Sequence, residues 1–246
     1  MKKTTFLIVG KHAVVEALKN PRRKIERVFV TEDAKKTLNR ENQHLNLLKN
    51  VHVFYKSKRE LDNLCGKDEI THQGLIAEVE QLEEITIKEF VINNTKKNIN
   101  FIALEEVTDP RNIGSIIRSA SAFNIDGLIV RERDYPNTSK LMYKAASGSM
   151  EHLNIFIVSN INSILKSLRE KNFWIYGFDT FGGKKLTDIK WEGKNVLVFG
   201  SEGYGMKKHT EKYLDFTVKI EINNKIESLN LSNSAAITFH HISKIK

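Results

Sequence analysis

The stretch 101–130, FIALEEVTDPRNIGSIIRSASAFNIDGLIV, is the strongest constraint on how this chain folds. Its apolar opening, Phe101-Ile102-Ala103-Leu104, has the length of a buried strand. Thr108-Asp109-Pro110-Arg111-Asn112 then breaks the pattern, because proline removes a backbone donor and fixes the chain direction. From Gly114 a helical period places Ile116, Ile117, Ala120 and Phe123 on one face and Ser115, Arg118 and Ser119 on the other. Asn124-Ile125-Asp126-Gly127 ends that helix, and Leu128-Ile129-Val130 reads as the next strand. Strand, loop, helix and strand in about 30 residues make a crossover between parallel strands.

Open α/β sheets bind ligands where a buried strand gives way to a loop and a helix start. Here Asn112 occupies that loop, and Arg118 with Ser115 and Ser119 makes a Ser-Arg-Ser stripe suited to phosphate or ribose. A solvated surface arginine explains the same spacing equally well.

The alternation of strands and helices continues on both sides. Before residue 80 it runs through a helix at 13–18, strand-like 28–30, a polar helical stretch at 33–48, then 51–54, 57–64 and 75–79. This reads as a small α/β domain over 1–80. Residues 81–99 read as a linker holding one short helix, and 100–246 as a second domain. Within it, the aromatic run 173–178, the wholly apolar 195–199 and the alternating 216–222 are strands, and 231–242 is a closing helix. A wholly apolar strand among helices implies a mainly parallel sheet covered on both faces. The small-residue run 143–150 suits close backbone approach.

A length of 246 residues allows two modest cores, and a net charge of +9 with a pI near 9.4 makes a polyanion the natural partner. Cys65 is the only cysteine, so there is neither a disulfide framework nor a cysteine-based metal site, and no metal is expected. The apolar run at 6–9 is too short for a leader or a membrane span, so the reading is a soluble, cytoplasmic protein with no membrane partner. His12 and His72 read as turn or packing residues, and Arg22-Arg23-Lys24 as a solvated loop whose best functional use is RNA phosphate.

Two further strand ends carry unusual residues. Gly200-Ser201-Glu202-Gly203-Tyr204-Gly205 follows the apolar strand. It is neither a dinucleotide fingerprint nor a nucleophile elbow, but its glycines let the backbone approach a flat ligand. Glu202 is costly there unless it orients something. At 226–234, Ser228, Asn230 and Ser232 are N-cap candidates that, taken together, also offer donors to a polar ligand. The aromatic rings of Phe181 and Tyr204 suit stacking on a base or on an adenine, and equally a core.

In order, NIGSIIRSA, VFGSEGYGM and IESLNLS resemble the three motifs of the SpoU/TrmH-type RNA ribose 2′-O-methyltransferases of the SPOUT superfamily. GKHAVVEAL and THQGLIAEV resemble the N-terminal substrate-binding domain of the branch that methylates a guanosine of 23S rRNA. The resemblance implies a C-terminal α/β domain with a deep trefoil knot, a rare exception to chain-topology rules. It implies S-adenosyl-L-methionine bound by backbone around Thr180, Gly200, Ile220 and Leu229. It maps the family's functional residues onto Asn112, Arg118, Glu202, Ser228 and Asn230, and it implies a homodimer acting on RNA, not DNA. Arginine stays protonated, so Arg118 is expected to hold phosphate or the 2′-oxygen, with Asn112 orienting Arg118 or the ribose and Glu202 fixing Asn112 or the loop. The short chain end after the closing helix, 243–246, and the His240-His241 pair depart from the pattern.

The alternatives are a tRNA substrate within the same chemistry, a noncatalytic RNA-binding ribosome-assembly factor, and a nucleotide-dependent oxidoreductase. Asn112, Arg118, Glu202 and Asn230 kept together argue against the second. The lack of a G-x-G-x-x-G after any strand argues against the third.

Overall fold

The computed structural model describes residues 4–40, 45–66 and 70–244. Its contacts divide the chain into two units. One holds the described residues up to Glu83 together with Asn137–His152; the other holds Glu84–Pro136 and everything described from Leu153 onward.

The first unit is built from β1 (Thr5–Val9), α1 (Lys11–Lys19), β2 (Ile25–Val30), α2 (Glu32–Arg40), β3 (Val53–Tyr55), α3 (Lys58–Cys65) and β4 (Leu75–Glu80). Its sheet runs β1-β4-β2-β3, with β4 antiparallel to both neighbours and β2 parallel to β3. The run at 6–9 is therefore a strand, paired in register from Thr5↔Glu80 to Val9↔Ile76. The helical stretch expected at 33–48 is α2 followed by a 3-10 turn at Leu45–Leu48; residues 41–44 of that expectation lie outside the described residues. Ser57 and Glu60 cap α3 reciprocally, which satisfies two backbone donors that a helix start leaves over. His72 is a packed turn residue: its Nδ1 accepts from the Gly74 amide at 2.9 Å and its Nε2 meets Asp62 at 3.1 Å.

The second unit begins with α4 (Ile87–Asn93) and β5 (Ile99–Leu104). It continues with α5 (Pro110–Ala122) and β6 (Gly127–Arg131). The chain then leaves through α6 (Lys140–Ala146), which packs with the first unit, and returns at β7 (Asn154–Val158). α7 (Ile161–Arg169), β8 (Phe173–Phe178), β9 (Lys184–Lys185), β10 (Lys194–Phe199), α8 (Lys208–Glu211), β11 (Phe216–Lys219) and α9 (Leu231–Lys244) complete it. The sheet order is β7-β6-β5-β10-β8-β11-β9, and every pairing is parallel. Buried strand residues such as Phe101, Ile129, Val196 and Val198 fill one core with Leu165 and Leu168 of α7. Phe90 of α4 packs edge-on against Phe101 and Phe156, so the helix expected within a linker is part of this core.

Three expectations are corrected. α5 begins at Pro110, not after Gly114, because Asp109 caps it by accepting from the Arg111 amide and proline is well suited to the first helical turn. Asn112 therefore sits inside the first turn, and Arg118 lies two turns from the start. Arg23 is not solvated: it is 5 % exposed and donates from Nε and Nη2 to Glu151, itself 4 % exposed, with Nη2–Oε1 at 2.7 Å. Nη1 adds the Glu80 carbonyl at 2.8 Å, so the buried charge is neutralised and its donors are used. This pair ties the 137–152 segment into the first unit, whereas the sequence division places that segment in the second. The close approach expected at 143–150 is real, but its partner is α1: a Cβ on Gly148 would meet Glu16 and the His12 carbonyl.

Candidate active site

The order of strands decides where a ligand can enter. From β5 the chain steps outward to β6 and β7, then returns to the other side of β5 to lay down β8 and β10. The turn-around falls between β5 and β10, and in open parallel sheets the crevice at the carboxyl ends of such strands is the binding position. Asn112 follows β5, Glu202 follows β10, and Asn230 opens α9, which packs on α5.

These three side chains meet. Asn112 Nδ2 donates to Glu202 Oε1 at 3.1 Å, and Asn230 Nδ2 donates to the same oxygen at 2.7 Å and to Asn112 Oδ1 at 3.1 Å. The Leu231 amide adds a third donor to Glu202 Oε1 at 3.0 Å. Asn230 Oδ1 faces the other way and caps α9, accepting from the amides of Ser232 and Asn233 at 2.9 and 3.3 Å. One carboxylate thus joins three loops that are 90 and 28 residues apart in sequence, and hydrogen bonds to an ionised acceptor are the stronger kind. Glu202 therefore binds both Asn112 and the 230 loop. No hydrogen bond among the described residues joins Asn112 to Arg118.

Beside this junction is a cavity of about 320 Å³. Thr180, Gly200, Ile220, Leu229 and Ser228 all line it, with Glu202 at its edge. Its apolar walls come from Phe199, Val218 and Leu231 and its polar groups from Asp179, Ser201 and Ser234. The loop 200–206 closes one side as a tight hairpin: Ser201 and Gly205 exchange backbone bonds of 3.1 and 2.9 Å. Gly200 is required there, since a Cβ would run into the backbone of Gly205 and Met206. Asp179 accepts from the Phe181 amide at 2.8 Å and contributes the cavity's carboxylate besides Glu202. Sequence reasoning did not single Asp179 out as a site residue; an acid at the carboxyl end of a central parallel strand was the signal for it.

Arg118 does not line the cavity. It is exposed and makes no hydrogen bond or ion pair among the described residues, so all its guanidinium donors are available. Six positions, or about 9 Å of helix rise, separate it from Asn112. Nearby at the strand ends, Glu106 accepts from Arg131 at 3.0 Å and Lys207 at 2.5 Å; those hydrogen bonds hold its carboxyl below the usual range. Glu106 adopts a left-handed backbone (φ 55°), uncommon for a side chain other than glycine. Among the described residues there is no cluster of three or more histidine, cysteine or acidic groups placed to hold a metal ion, and no helix long and apolar enough to cross a membrane.

Comparison with known proteins gives a consistent result. Residues 100–240 match the SpoU rRNA Methylase family, and residues 7–85 match the RNA 2′-O ribose methyltransferase substrate-binding domain. A TrmH-family tRNA/rRNA methyltransferase of Bacillus subtilis, YacO, is 28 % identical over 96 % of this chain and 94 % of its own length. A TrmH-family tRNA/rRNA methyltransferase of Staphylococcus epidermidis is 30 % identical with the same coverage. The crystal structure of the SpoU methyltransferase AviRb from Streptomyces viridochromogenes in complex with AdoMet superposes with a TM-score of 0.80. That structure is 19 % identical and covers 98 % of this chain and 89 % of its own, which supports the fold.

Proposed function

This chain belongs to the SpoU rRNA Methylase family, and from that premise we propose that it methylates the ribose 2′-hydroxyl of a guanosine in large-subunit (23S) ribosomal RNA. It is an RNA methyltransferase, and its methyl donor is S-adenosyl-L-methionine. The observation that carries the proposal is the meeting of the three motifs at Glu202: residues 200–205 of the second and Ser228, Leu229 and Leu231 of the third line one cavity, and Asn112 of the first is bonded to Glu202 beside it.

The cavity suits the donor. Its volume lies within the roughly 300–1,000 Å³ of small-molecule sites, and it combines apolar walls for a flat base with hydroxyls and a carboxylate for ribose and a cationic tail. Thr180, Gly200, Ile220 and Leu229 would hold the nucleoside, and Asp179 is the carboxylate available to a positive group. The bound donor supplies an electrophilic methyl carbon. The protein's task is then to bring a 2′-oxygen in line with it and to ease loss of its proton.

Each side chain has a share in that task. Glu202 locks the three loops and so fixes the cavity wall. Ser228 presents a hydroxyl at the cavity, where it can bond the acceptor ribose. Arg118, always charged and without a partner among the described residues, holds a phosphate or the developing oxyanion of the substrate. Its distance along the helix from Asn112 is accommodated if a second copy brings its own Arg118 to the site, so a homodimer belongs to the proposal. The trefoil knot implied by the resemblance belongs to it as well, tied by the segment that runs from β11 through 220–230 into α9.

The experiment is ribose-methylation mapping of large-subunit rRNA and tRNA from cells lacking this protein, with and without complementation by wild type or Arg118→Ala. The expected result is one lost guanosine 2′-O-methyl mark in 23S rRNA, restored by wild type alone. A lost tRNA mark would overturn the substrate and keep the chemistry; no lost mark would leave RNA binding without catalysis.

A further inference from the structure

Two aromatic rings at the cavity are presented to solvent on hydrogen-bonded turns. Tyr204 is 97 % exposed and Phe181 is 92 % exposed, yet both line the cavity assigned to the methyl donor. Both turns are closed by hydrogen bonds. Tyr204 sits at the tip of the 201–205 hairpin, held by the paired Ser201 and Gly205 bonds, while two residues earlier Glu202 is pinned by its three donors. Phe181 sits in a turn closed by Asp179, which accepts from the Phe181 and Gly182 amides at 2.8 and 3.1 Å. Gly182 presses on the backbone of Val218, leaving no room for a Cβ. Lys184 and Lys185 follow Phe181, and Lys207 follows the hairpin.

We infer that Phe181 and Tyr204 form a stacking site for the base of the RNA nucleotide that receives the methyl group. The inference rests on the proposed function and extends it to recognition of that base. Among the described residues neither ring is packed away, and exposing aromatic surface is unfavourable unless a ligand covers it. A flat π-face is the chemistry that suits two such rings, and single nucleotides are recognised by stacking on aromatic side chains. The occupant follows from reach: a 2′-oxygen that approaches the cavity brings its own base to the rim where the rings stand. A base in a helix must leave its stack to do so, and preorganised rings offset that unstacking.

The test uses the full-length protein, S-adenosylmethionine and large-subunit rRNA from cells lacking the protein. Phe181→Ala and Tyr204→Ala should each raise the apparent KM for RNA by about 5- to 100-fold, with the calorimetric Kd for S-adenosylmethionine within twofold of wild type. Phe181→Tyr and Tyr204→Phe should recover most of the loss, because the ring face and not the hydroxyl is used. In anisotropy measurements with a short RNA carrying an abasic acceptor nucleotide, wild type should bind as weakly as the alanine variants bind intact RNA. The alanine changes should then cost nothing further.

A parallel loss of cofactor affinity would assign the rings to the donor's adenine and overturn the inference. So would a changed sedimentation coefficient in the variants, which would place the rings between protein copies, or an abasic RNA that binds wild type normally. If wild type methylates no RNA at all, the functional proposal fails, and anisotropy with a short single-stranded RNA then decides on stacking: alanine variants that bind it as tightly as wild type overturn the inference.

Discussion

At the scale of single residues, Asn112 is the most informative position. It is 9 % exposed, and its amide uses both ends: the nitrogen donates to Glu202 and the oxygen accepts from Asn230. Asn112→Asp preserves the shape and replaces that donor by a second carboxylate facing Glu202. Two like charges at such a distance cannot both ionise cheaply, so one of the pair acquires a raised pKa. A group whose folded pKa is raised destabilises once the pH climbs past its ordinary value. The variant should therefore match wild type near pH 4 and lose about 1–2 kcal/mol as the pH rises toward 7, the sum being held down by the exposure of Glu202. Urea unfolding of both proteins across that range checks it; equal stability at every pH would mean that the Asn112–Glu202 bond carries nothing.

At the scale of elements, the 200–206 hairpin is the part whose geometry leaves least freedom. Gly200 and Gly203 are two of its three glycines and behave oppositely. A Cβ at Gly200 collides with the backbone of Gly205 and Met206, while one at Gly203 meets nothing. Backbone atoms cannot move aside as a side-chain tip can, so Gly200→Ala must open the hairpin and shift Glu202 with it. Gly200→Ala is expected to weaken S-adenosylmethionine binding by tenfold or more, on the order of 1.4 kcal/mol, and Gly203→Ala should fold like wild type. Calorimetric titration and thermal melts of the two variants separate these outcomes; comparable donor binding by Gly200→Ala would show that the hairpin does not form the cavity wall.

At the scale of the whole molecule, the segment Asn137–His152 leaves one unit to pack in the other. Met142, Tyr143, Ala146 and Met150 are buried there, the Phe6 ring packs tilted against Tyr143 at 5.1 Å between centroids, and Arg23 is bonded to Glu151. Burial pushes the Tyr143 phenol up, with the Arg23 charge opposing. A fragment 84–246 would expose those apolar residues and strand Glu151. It is expected to aggregate, and replacing 137–152 in it by a glycine–serine linker should restore a soluble, monodisperse species. Soluble yield and sedimentation of the two fragments check this; an equally soluble unmodified fragment would show that the segment needs no partner.

The sequence by itself determined the alternation of strands and helices, the parallel sheet and the family, because buried parallel strands must be apolar throughout and the three motifs are local strings. It marked Thr180, Gly200, Ile220 and Leu229 as neighbours only through resemblance; their place on one cavity is a fact of the fold. Other features were decided by tertiary structure alone. That Glu202 bonds both Asn112 and Asn230 depends on loops brought together by strand order, and no period in the chain encodes that meeting. Arg23 read as a solvated cation because charge runs usually are, and its burial required Glu151, 128 residues away. The start of α5 at Pro110 was legible in principle, since proline favours a first helical turn, but a proline beside Asp109 and Asn112 reads as readily as a turn. Local patterns set which elements form; the long-range pairing of one carboxylate with two amides set where the site is.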